Sequence, residues 1–258
     1  MNVFLTGASS GIGEALARFY AAKGATLGLL ARREDHLRGL QSSLGVPVEI
    51  YPADVRELKA VRAAGEAFIA KHGVPDIVIA NAGVSHGTLT EHEDDVEVFR
   101  KIMDINVNGL VNTFHPFIAP MRSRGSGSLV GIASVAGFRG IPGAGAYSAS
   151  KAAAIRHCEA LRVELRGTGV QVTTICPGYI ATPMTEKNPY PMPFLITAEE
   201  FARRCAREVE AKSSLAVIPW QMAIFGRLFG VLPNFLYDRM MAGAGRKPRI
   251  AQTPADGS

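Results

Sequence analysis

The sequence has little cysteine and no long apolar run, and both absences narrow what it can be. Only three cysteines occur in 258 residues, Cys158, Cys176 and Cys205. They form neither an even disulfide set nor a metal-spaced cluster, which favours buried thiols in a reducing compartment. No apolar stretch reaches the ~20 residues that a helix needs to cross a bilayer. No basic-then-apolar leader precedes the first apolar strand, so we expect a cytoplasmic protein rather than a secreted one.

Basic charge is scarce outside the C-terminal part of the chain. The net charge of the chain is +5. From Lys212 onwards the sequence contains six Lys/Arg and two acidic residues, a net charge of +4, which leaves +1 for the first 211 residues. A nucleic-acid-binding protein spreads its basic charge over a broad footprint, so we expect no nucleic-acid partner. The spacing of His86, His92 and His115 builds no ligand set, so we expect no metal either.

Seven short apolar runs alternate with longer helix-like segments. The runs are residues 2–6, 26–31, 48–53, 76–80, 128–133, 170–175 and 215–218. The helix-like segments are 11–23, 56–72, 95–123, 146–167 and 198–211, the last with the spacing of a capping box at Thr197 and Glu200. This alternation predicts an α/β fold: a single Rossmann-type, doubly wound parallel sheet of about seven strands with helices on both faces.

A glycine-rich turn, TGASSGIG from Thr6 to Gly13, follows the first predicted strand and leads into the first helix. Glycines permit a tight turn and a close approach of the backbone, and the helix N-terminus offers unpaired N–H groups to a pyrophosphate. Because the motif stands between a strand and a helix, we interpret it as a dinucleotide-binding turn. Its candidate contacts are Gly7, Ser9, Ser10, Gly11, Ile12 and Gly13.

Arg32 and Arg33 follow the second predicted strand, and no acid occurs before Glu34. An acid here holds the ribose 2′-hydroxyl of NAD, whereas arginine accommodates the 2′-phosphate of NADP. A solvated helix start would also explain two arginines, but cations there oppose the helix dipole, so a bound anion explains them better. The pattern favours NADP over NAD.

Tyr147 and Lys151 stand four residues apart in the stretch AYSASKAAA at 146–154. At ~3.6 residues per turn the pair lies on one helix face, so a phenol and an ammonium would share one site. The alternative is an ordinary alanine-rich helix with one aromatic packed inward and one solvated lysine. This stretch alone leaves both interpretations open.

Together these motifs resemble the short-chain dehydrogenase/reductase family. TGASSGIG at 6–13, NAG at 81–83, Asn106 in DINVNG, Ser134, YSASK at 147–151 and PG at 177–178 occur in the family's order, and the resemblance extends to about residue 219. Thirteen residues separate Ser134 from Tyr147 and four separate Tyr147 from Lys151, as in the family's catalytic pattern. The resemblance implies an oxidoreductase that transfers a hydride between a nicotinamide cofactor and a small-molecule carbonyl or secondary alcohol. The glycine-rich turn lacks the basic residue that some NADP-preferring members carry there, so the prediction of NADP(H) rests on Arg32 and Arg33 alone.

The resemblance also implies roles for these side chains. Tyr147 would exchange a proton with the developing alkoxide, and Lys151 would hold the nicotinamide ribose and lower the pKa of that tyrosine. Ser134 would donate a hydrogen bond to the substrate oxygen, and Asn106 would hold a water that continues the proton relay. A non-catalytic NADP(H)-sensing protein of the same fold is the alternative, but a sensor has no need of this complete set.

Further cofactor contacts follow from the same resemblance. Asp54 corresponds to an acid that contacts adenine, although an N-cap of the next helix would explain it equally well. Asn81 resembles a strand-stabilising residue, followed by Ala82 and Gly83 in the NAG motif. The segment that packs against the nicotinamide corresponds to Pro177, Gly178, Ile180 and Thr182.

Two later segments are particular to this sequence. Residues 183–196 carry four prolines, which oppose a regular helix, and occupy the place of the family's mobile substrate lid. Their apolar side chains, together with Phe138, indicate a bulky apolar substrate; a loop packed on its own core is the alternative. Residues 219–249 join an apolar stretch to most of the positive charge, and three interpretations are open: a core or dimer helix, a flap over an apolar substrate pocket, or an anchor at an anionic membrane surface.

The expected organisation is one domain. Residues 1–218 form the dinucleotide-binding and catalytic part, 219–249 a C-terminal extension of it, and 250–258 a disordered tail. The resemblance further implies a homodimer or homotetramer. The protein would be cytoplasmic, with peripheral membrane association through residues 219–249.

Overall fold

A computed structural model describes residues 1–186 and 188–249, and within them seven parallel strands form one sheet. The strands are β1 (Asn2–Thr6), β2 (Thr26–Ala31), β3 (Val48–Pro52), β4 (Ile77–Ala80), β5 (Gly127–Ile132), β6 (Val170–Pro177) and β9 (Leu215–Ile218), and their order across the sheet is β3-β2-β1-β4-β5-β6-β9. The order reverses between β1 and β4, which is where such sheets bind their ligands. The predicted fold class is confirmed.

Both faces of the sheet are buried, which explains why its strands read as continuous apolar runs. On the central strand Val3 lies opposite Leu27 of β2 and Ile77 of β4. Val3 packs into the hydrophobic core on one face and Phe4 into the core on the other. Every strand must therefore present apolar side chains on both sides.

Helices cover the two faces in separate groups. One core contains buried side chains of α1 (Gly11–Ala22), α2 (Glu34–Ser43) and α8 (Ala198–Glu210). The other contains side chains of α3 (Leu58–His72), α5 (Gly109–Arg124) and α6 (Gly145–Glu164). α2 was not among the predicted helices, because only Leu37 and Leu40 of its ten residues are buried and the apolar period is weak.

The predicted helix over 95–123 is divided in the structure. It consists of α4 (Glu93–Met103), a π-helical turn (Asp104–Asn108) and α5. A Cβ atom on Gly109 would lie 2.7 Å from Cγ2 of Val55, so the helix start is pressed against the loop after β3. π-Helical turns of this kind are frequent at functional sites, and this one carries Asn106.

The proline-rich segment departs from its prediction at one point. Despite Pro183 a short helix, α7 (Pro183–Glu186), follows β7 (Ile180–Ala181), because proline is tolerated in the first helical turn. β7 pairs with β8 (Ile196–Thr197), and the Thr197 hydroxyl accepts the Glu200 N–H at 3.2 Å to cap α8. The reciprocal half of the capping box is not used, since the Glu200 carboxylate pairs with Arg203 and Arg204 instead.

Two helices follow β9, α9 (Gln221–Val231) and α10 (Asn234–Met241). Of the interpretation as a core or dimer helix, the core half is wrong, because only Met222 and Tyr237 are buried among the large side chains that the structure describes in α9 and α10. The dimer half stays a prediction. The exposed apolar side chains are Trp220, Ile224, Phe225, Leu228, Val231, Phe235, Leu236 and Met240. We refer to them as the apolar face. None of the described helices is long and apolar enough to span a membrane.

The chain then returns to the body of the protein through residues 246–249, which we call the C-terminal strap. Gly87 forms a parallel bridge with Arg249, and its N–H donates to the Pro248 carbonyl at 3.0 Å. A Cβ atom on Gly87 would lie 2.1 Å from the Lys247 carbonyl oxygen, so only glycine allows this contact. Arg249 also pairs with the buried carboxylate of Asp95 at 2.6 Å. The predicted tail 250–258 lies outside the described residues.

Candidate active site

The carboxyl ends of the central strands open into one cleft of about 450 Å³, the main cleft. All of the predicted cofactor contacts line it, and so do three of the four predicted catalytic residues. These are Gly7, Ser9, Ser10, Gly11, Ile12, Gly13, Arg32, Arg33, Asp54, Asn81, Ala82, Gly83, Ser134, Tyr147, Lys151, Pro177, Gly178, Ile180 and Thr182. Parallel strands bring these distant segments together because their carboxyl ends share one edge of the sheet.

The glycine-rich turn forms the floor of the cleft at the N-terminus of α1. Gly7 has φ +70° and Gly11 has φ +58°, values that side-chain-bearing residues rarely adopt. A Cβ atom on Gly13 would lie 2.1 Å from the Gly7 carbonyl oxygen, so the turn folds back closely on the helix. The first N–H groups of a helix have no intrahelical partner. At the start of α1 these groups lie at the glycine-rich turn, where the absence of side chains leaves the backbone accessible. This arrangement fits the pyrophosphate of a dinucleotide.

Arg33 lies over this turn. Its Nη2 atom donates to Ser9 Oγ at 3.0 Å and to Ser10 Oγ at 2.9 Å. Arg32 is exposed at the same rim, and its charge contributes to a lowered pKa of Asp54. The rim of the cleft at β2 is therefore basic and rich in hydroxyl groups.

Asp54 is held by its own neighbour. The Arg56 side chain donates to the carboxylate at 2.8 Å and the Arg56 N–H at 3.0 Å, and these bonds hold the pKa of Asp54 below its usual range. α3 begins at Leu58 with Glu57 at the N-cap position, so the N-cap interpretation of Asp54 is wrong. Asp54 instead closes a turn at the mouth of the cleft.

Asn81 ties the ends of β1 and β4 together. Its Nδ2 atom donates to the carbonyl oxygens of Thr6 at 3.1 Å and Gly7 at 3.2 Å, and its backbone N–H donates to Thr6 Oγ1 at 3.3 Å. The side chain thus fixes the glycine-rich turn relative to the NAG segment, in agreement with a strand-stabilising role.

Ser134 ends the segment after β5 and caps a short 3₁₀ turn (Val135–Gly137). Its hydroxyl accepts the Ala136 N–H at 3.1 Å and lies 3.5 Å from the Pro177 carbonyl oxygen. The same hydroxyl interacts with the phenol of Tyr147. These contacts fix the Ser134 hydroxyl beside the phenol, where one small carbonyl group can meet both.

The protein's own groups do not activate Tyr147 as the sequence led us to expect. Burial raises the pKa of Tyr147, the Ser134 hydrogen bond partly offsets this, and Lys151 is not among the groups that lower it. Lys151 Nζ lies 5.8 Å from the phenol ring centre and donates to the Ile132 carbonyl at 2.9 Å. Burial also lowers the pKa of Lys151 to about 8. The two side chains share one helix face, as predicted, but the hydrogen bond of the Lys151 ammonium goes to the Ile132 carbonyl and not to the phenol oxygen.

Asn106 lies beside the main cleft rather than in its lining. Its Oδ1 accepts the Val84 N–H at 2.8 Å, and its Nδ2 donates to the Val84 carbonyl at 2.9 Å and to Ser150 Oγ at 3.0 Å. Ser150 Oγ in turn donates to the Tyr147 carbonyl at 2.7 Å. The side chain therefore connects the loop after β4 to the helix that carries Tyr147, and its amide protons are fully used in doing so.

A second cavity of about 410 Å³ adjoins the main cleft, and Ser134 and Tyr147 line both. We call it the apolar cavity, because aromatic and aliphatic side chains form much of its wall: Phe138, Ile141, Met222, Phe225, Phe229, Tyr237 and Met241. α9 supplies three of these side chains, so the C-terminal segment stands in the position of the predicted flap. Tyr190 and Pro191 of the proline-rich segment also line it, in agreement with the predicted lid position.

Several residues that line the two cavities were not predicted from the sequence. Ala31, Ala53, Val55, Val84 and Ile105 line the main cleft through small or apolar side chains that carry no chemical signature. Lys247 lines the apolar cavity from the strap, more than 90 residues beyond Tyr147. Among the described residues no group of His, Cys, Asp and Glu could hold a metal ion, so the predicted absence of a metal site meets no contrary observation.

The cleft has the shape and lining expected of a dinucleotide site, and comparison with known proteins gives the family. A family model described as short chain dehydrogenase matches residues 1–191. An uncharacterized oxidoreductase of Myxococcus xanthus is 40% identical over 240 residues, which span 92% of this chain and 94% of that protein. The chain belongs to the short-chain dehydrogenase/reductase family, whose members use a nicotinamide cofactor.

Solved structures agree with this assignment. The chain resembles levodione reductase with a TM-score of 0.78 and 26% identity, over 86% of this chain and 97% of that one. It resembles serine dehydrogenase from Escherichia coli with a TM-score of 0.73 and 28% identity, over 84% and 95%. By name, one is a reductase and the other a dehydrogenase.

Proposed function

We propose that this protein is an NADP(H)-dependent reductase of a bulky, largely apolar carbonyl compound, or the dehydrogenase of the corresponding secondary alcohol. The observation that carries the proposal is the position of Ser134 and Tyr147 in the wall shared by the main cleft and the apolar cavity. A cofactor in the first and a carbonyl compound in the second would meet at these two hydroxyl groups.

NADP as the cofactor is supported by the charges at the rim of the main cleft. Arg33 is anchored beside Ser9 and Ser10, Arg32 lies next to it, and the nearby Asp54 carboxylate is already paired with Arg56. An arginine fork with serine hydroxyls suits a 2′-phosphate. Among the described residues that line the cleft, Asp54 is the one acid, and its pairing with Arg56 does not favour a bond to the 2′-hydroxyl of NAD.

In the proposed mechanism the bound cofactor supplies or accepts the hydride. Ser134 donates a hydrogen bond to the carbonyl oxygen, where negative charge develops. Tyr147 supplies the proton to that oxygen, and its raised pKa keeps the phenol protonated until then. Lys151 holds the nicotinamide ribose through its buried ammonium. Asn106 positions the helix that bears Tyr147, and a role in a water relay would have to use an atom other than its amide protons.

The expected activity is measured by nicotinamide absorbance with a panel of ketones, aldehydes and alcohols. Tyr147→Phe should reduce kcat by at least about a hundredfold, the usual contribution of a positioned proton donor, while NADPH binding stays within about twofold. The matched control is Tyr179→Phe, another partly buried tyrosine of the apolar cavity. If Tyr147→Phe retains most of its activity on a good substrate, the assignment of the proton donor is wrong. A sensor would bind NADPH but reduce no member of the panel.

We further infer that the apolar face contacts an anionic lipid surface. Phe225 belongs to this face and also lines the apolar cavity, so the face is continuous with the cavity wall. Burial of the apolar side chains would supply most of the affinity, and the exposed cations Arg239 and Arg246 would add to it.

We also propose a homodimer or homotetramer in the cytoplasm. Val96 and Phe99 of α4 and Val111 of α5 are exposed apolar side chains, and a second copy would cover them. The three cysteines are buried free thiols, which suits a reducing compartment.

A further inference from the structure

The apolar cavity carries positive charge that no acid in its wall balances. Arg139 and Lys247 line it, and within the part of the chain that the structure describes no Asp or Glu does. A cation in a poorly hydrated cavity is costly unless it is paired, so each of the two needs an explanation.

Arg139 is explained by its contacts with the protein. Its guanidinium donates to the carbonyl oxygens of Phe229 and Leu232 at the end of α9, and to Asn234 Oδ1 at 2.9 Å. It also stacks on the ring of Tyr237, with its central carbon 4.0 Å from the ring centre. Arg139 therefore caps α9 and joins it to α10.

Lys247 has no comparable set of partners. Among the described residues its ammonium makes a single hydrogen bond, to Ser85 Oγ at 3.0 Å, although an ammonium has three donors. Burial lowers the pKa of Lys247 to about 8, and no carboxylate counteracts this, so the group stays mostly protonated at neutral pH. Burial and the positive charges of Lys247 and Lys101 lower the pKa of the nearby His86. The potential at this end of the cavity is thus positive.

Attachment of the strap does not depend on Lys247. The ion pair of Arg249 with Asp95 and the backbone bond between Gly87 and Pro248 hold it on either side of the lysine. These contacts present the lysine to the cavity instead of to solvent.

We propose that Lys247 is an anion-binding residue for the substrate, and that the substrate is an amphiphile whose carboxylate, or a similar anionic group, pairs with this ammonium while its apolar part lies against α9. The proposal rests on the proposed function for the identification of the apolar cavity as the place of the substrate. It narrows the substrate class from apolar carbonyl compounds to those with an acidic group.

The test compares two ligands of equal length, decanoate and decanamide, by calorimetric titration of the NADPH-saturated protein. The wild type should bind decanoate at least about tenfold more tightly, as expected for a hydrogen bond to a charged group. Lys247→Met, which keeps the length of the side chain, should remove this preference and leave decanamide binding within about twofold. Equal melting temperatures show that the variant is folded.

Two further variants separate anion binding from a structural role. Arg246→Met removes a neighbouring exposed cation of the strap, and Ser85→Ala removes the hydrogen bond of the ammonium but keeps its charge; both should retain the preference for decanoate. The proposal is overturned if the wild type does not prefer decanoate, if the preference survives in Lys247→Met, or if Ser85→Ala abolishes it equally.

The binding measurement does not require turnover, so it is independent of the proposed reaction. A wild-type preference for decanoate without reduction of any carbonyl compound would refute the reductase and retain the anion site. Where turnover is found, 4-oxodecanoate should have a kcat/KM at least about tenfold above that of its methyl ester, and Lys247→Met should equalise the two.

Discussion

Substitution of Arg33 tests the choice between NADP and NAD. Its removal has two effects that can be measured separately: loss of a contact to the 2′-phosphate and loss of support for the glycine-rich turn. A charge-assisted hydrogen bond to a 2′-phosphate contributes about 1.5–3 kcal/mol, and the exposure of Arg33 argues for the lower end. Arg33→Ala should therefore weaken NADPH binding by about tenfold through the lost phosphate contact. The variant also loses the hydrogen bonds to Ser9 and Ser10, which support the turn that holds either cofactor.

The ratio of the two affinities isolates the phosphate contact. Loss of turn support weakens NADPH and NADH alike, so the ratio of the Kd for NADH to the Kd for NADPH should fall by about tenfold in Arg33→Ala whatever the common loss. Arg38→Ala serves as the control, because it removes a nearby exposed cation that pairs with Glu34 and does not line the main cleft, and it should leave the ratio unchanged. Quenching of cofactor fluorescence measures the six constants, two for each of the three proteins. Equal weakening of NADPH and NADH in Arg33→Ala would refute the reading of this rim as a 2′-phosphate site.

Two other predictions concern the C-terminal part. Arg249 lowers the pKa of Asp95, so the ion pair contributes stability above the ordinary aspartate pKa of about 3.9, and this stability is lost as the pH falls through the lower pKa of the folded protein. The difference in unfolding free energy between wild type and Asp95→Asn should be constant at neutral pH and shrink below about pH 4; a constant difference throughout would contradict the ion-pair assignment. The double variant Val231→Ser with Phe235→Ser should reduce flotation of the protein with anionic vesicles, and flotation of the wild type should fall as the salt concentration rises. Unchanged flotation of the variant would exclude the lipid contact. So would a wild type that does not bind vesicles and self-associates through this face.

The sheet was predictable because its central strands are buried on both faces and its strands are therefore rich in apolar residues. The helices were predictable where an apolar stripe is long, as in α1 and α6, and not where it is short, as in α2. The division of 95–123 was not predictable from local pattern, because the segment reads as one helix and the close approach of Gly109 to Val55 is a contact between segments far apart in the chain.

The main cleft followed from local motifs, since each of its segments begins at the carboxyl end of a strand. The electrostatics did not follow in the same way. Spacing put Tyr147 and Lys151 on one face, but the carbonyl of Ile132 binds the ammonium, and burial dominates the pKa of the phenol. Lys247 carried no local signal either, because its sequence neighbours GRKPR indicate only a basic tail.

The two cavities are lined by residues from different parts of the chain. Every described residue that lines the main cleft lies between Gly7 and Thr185, and the family model ends at residue 191. The apolar cavity includes residues up to Lys247. On the proposed function, substitutions after β9 would therefore change the choice of substrate and leave the cofactor contacts unchanged. During synthesis, the described residues that line the main cleft are therefore all translated before the residues of α9, α10 and the C-terminal strap that line the apolar cavity.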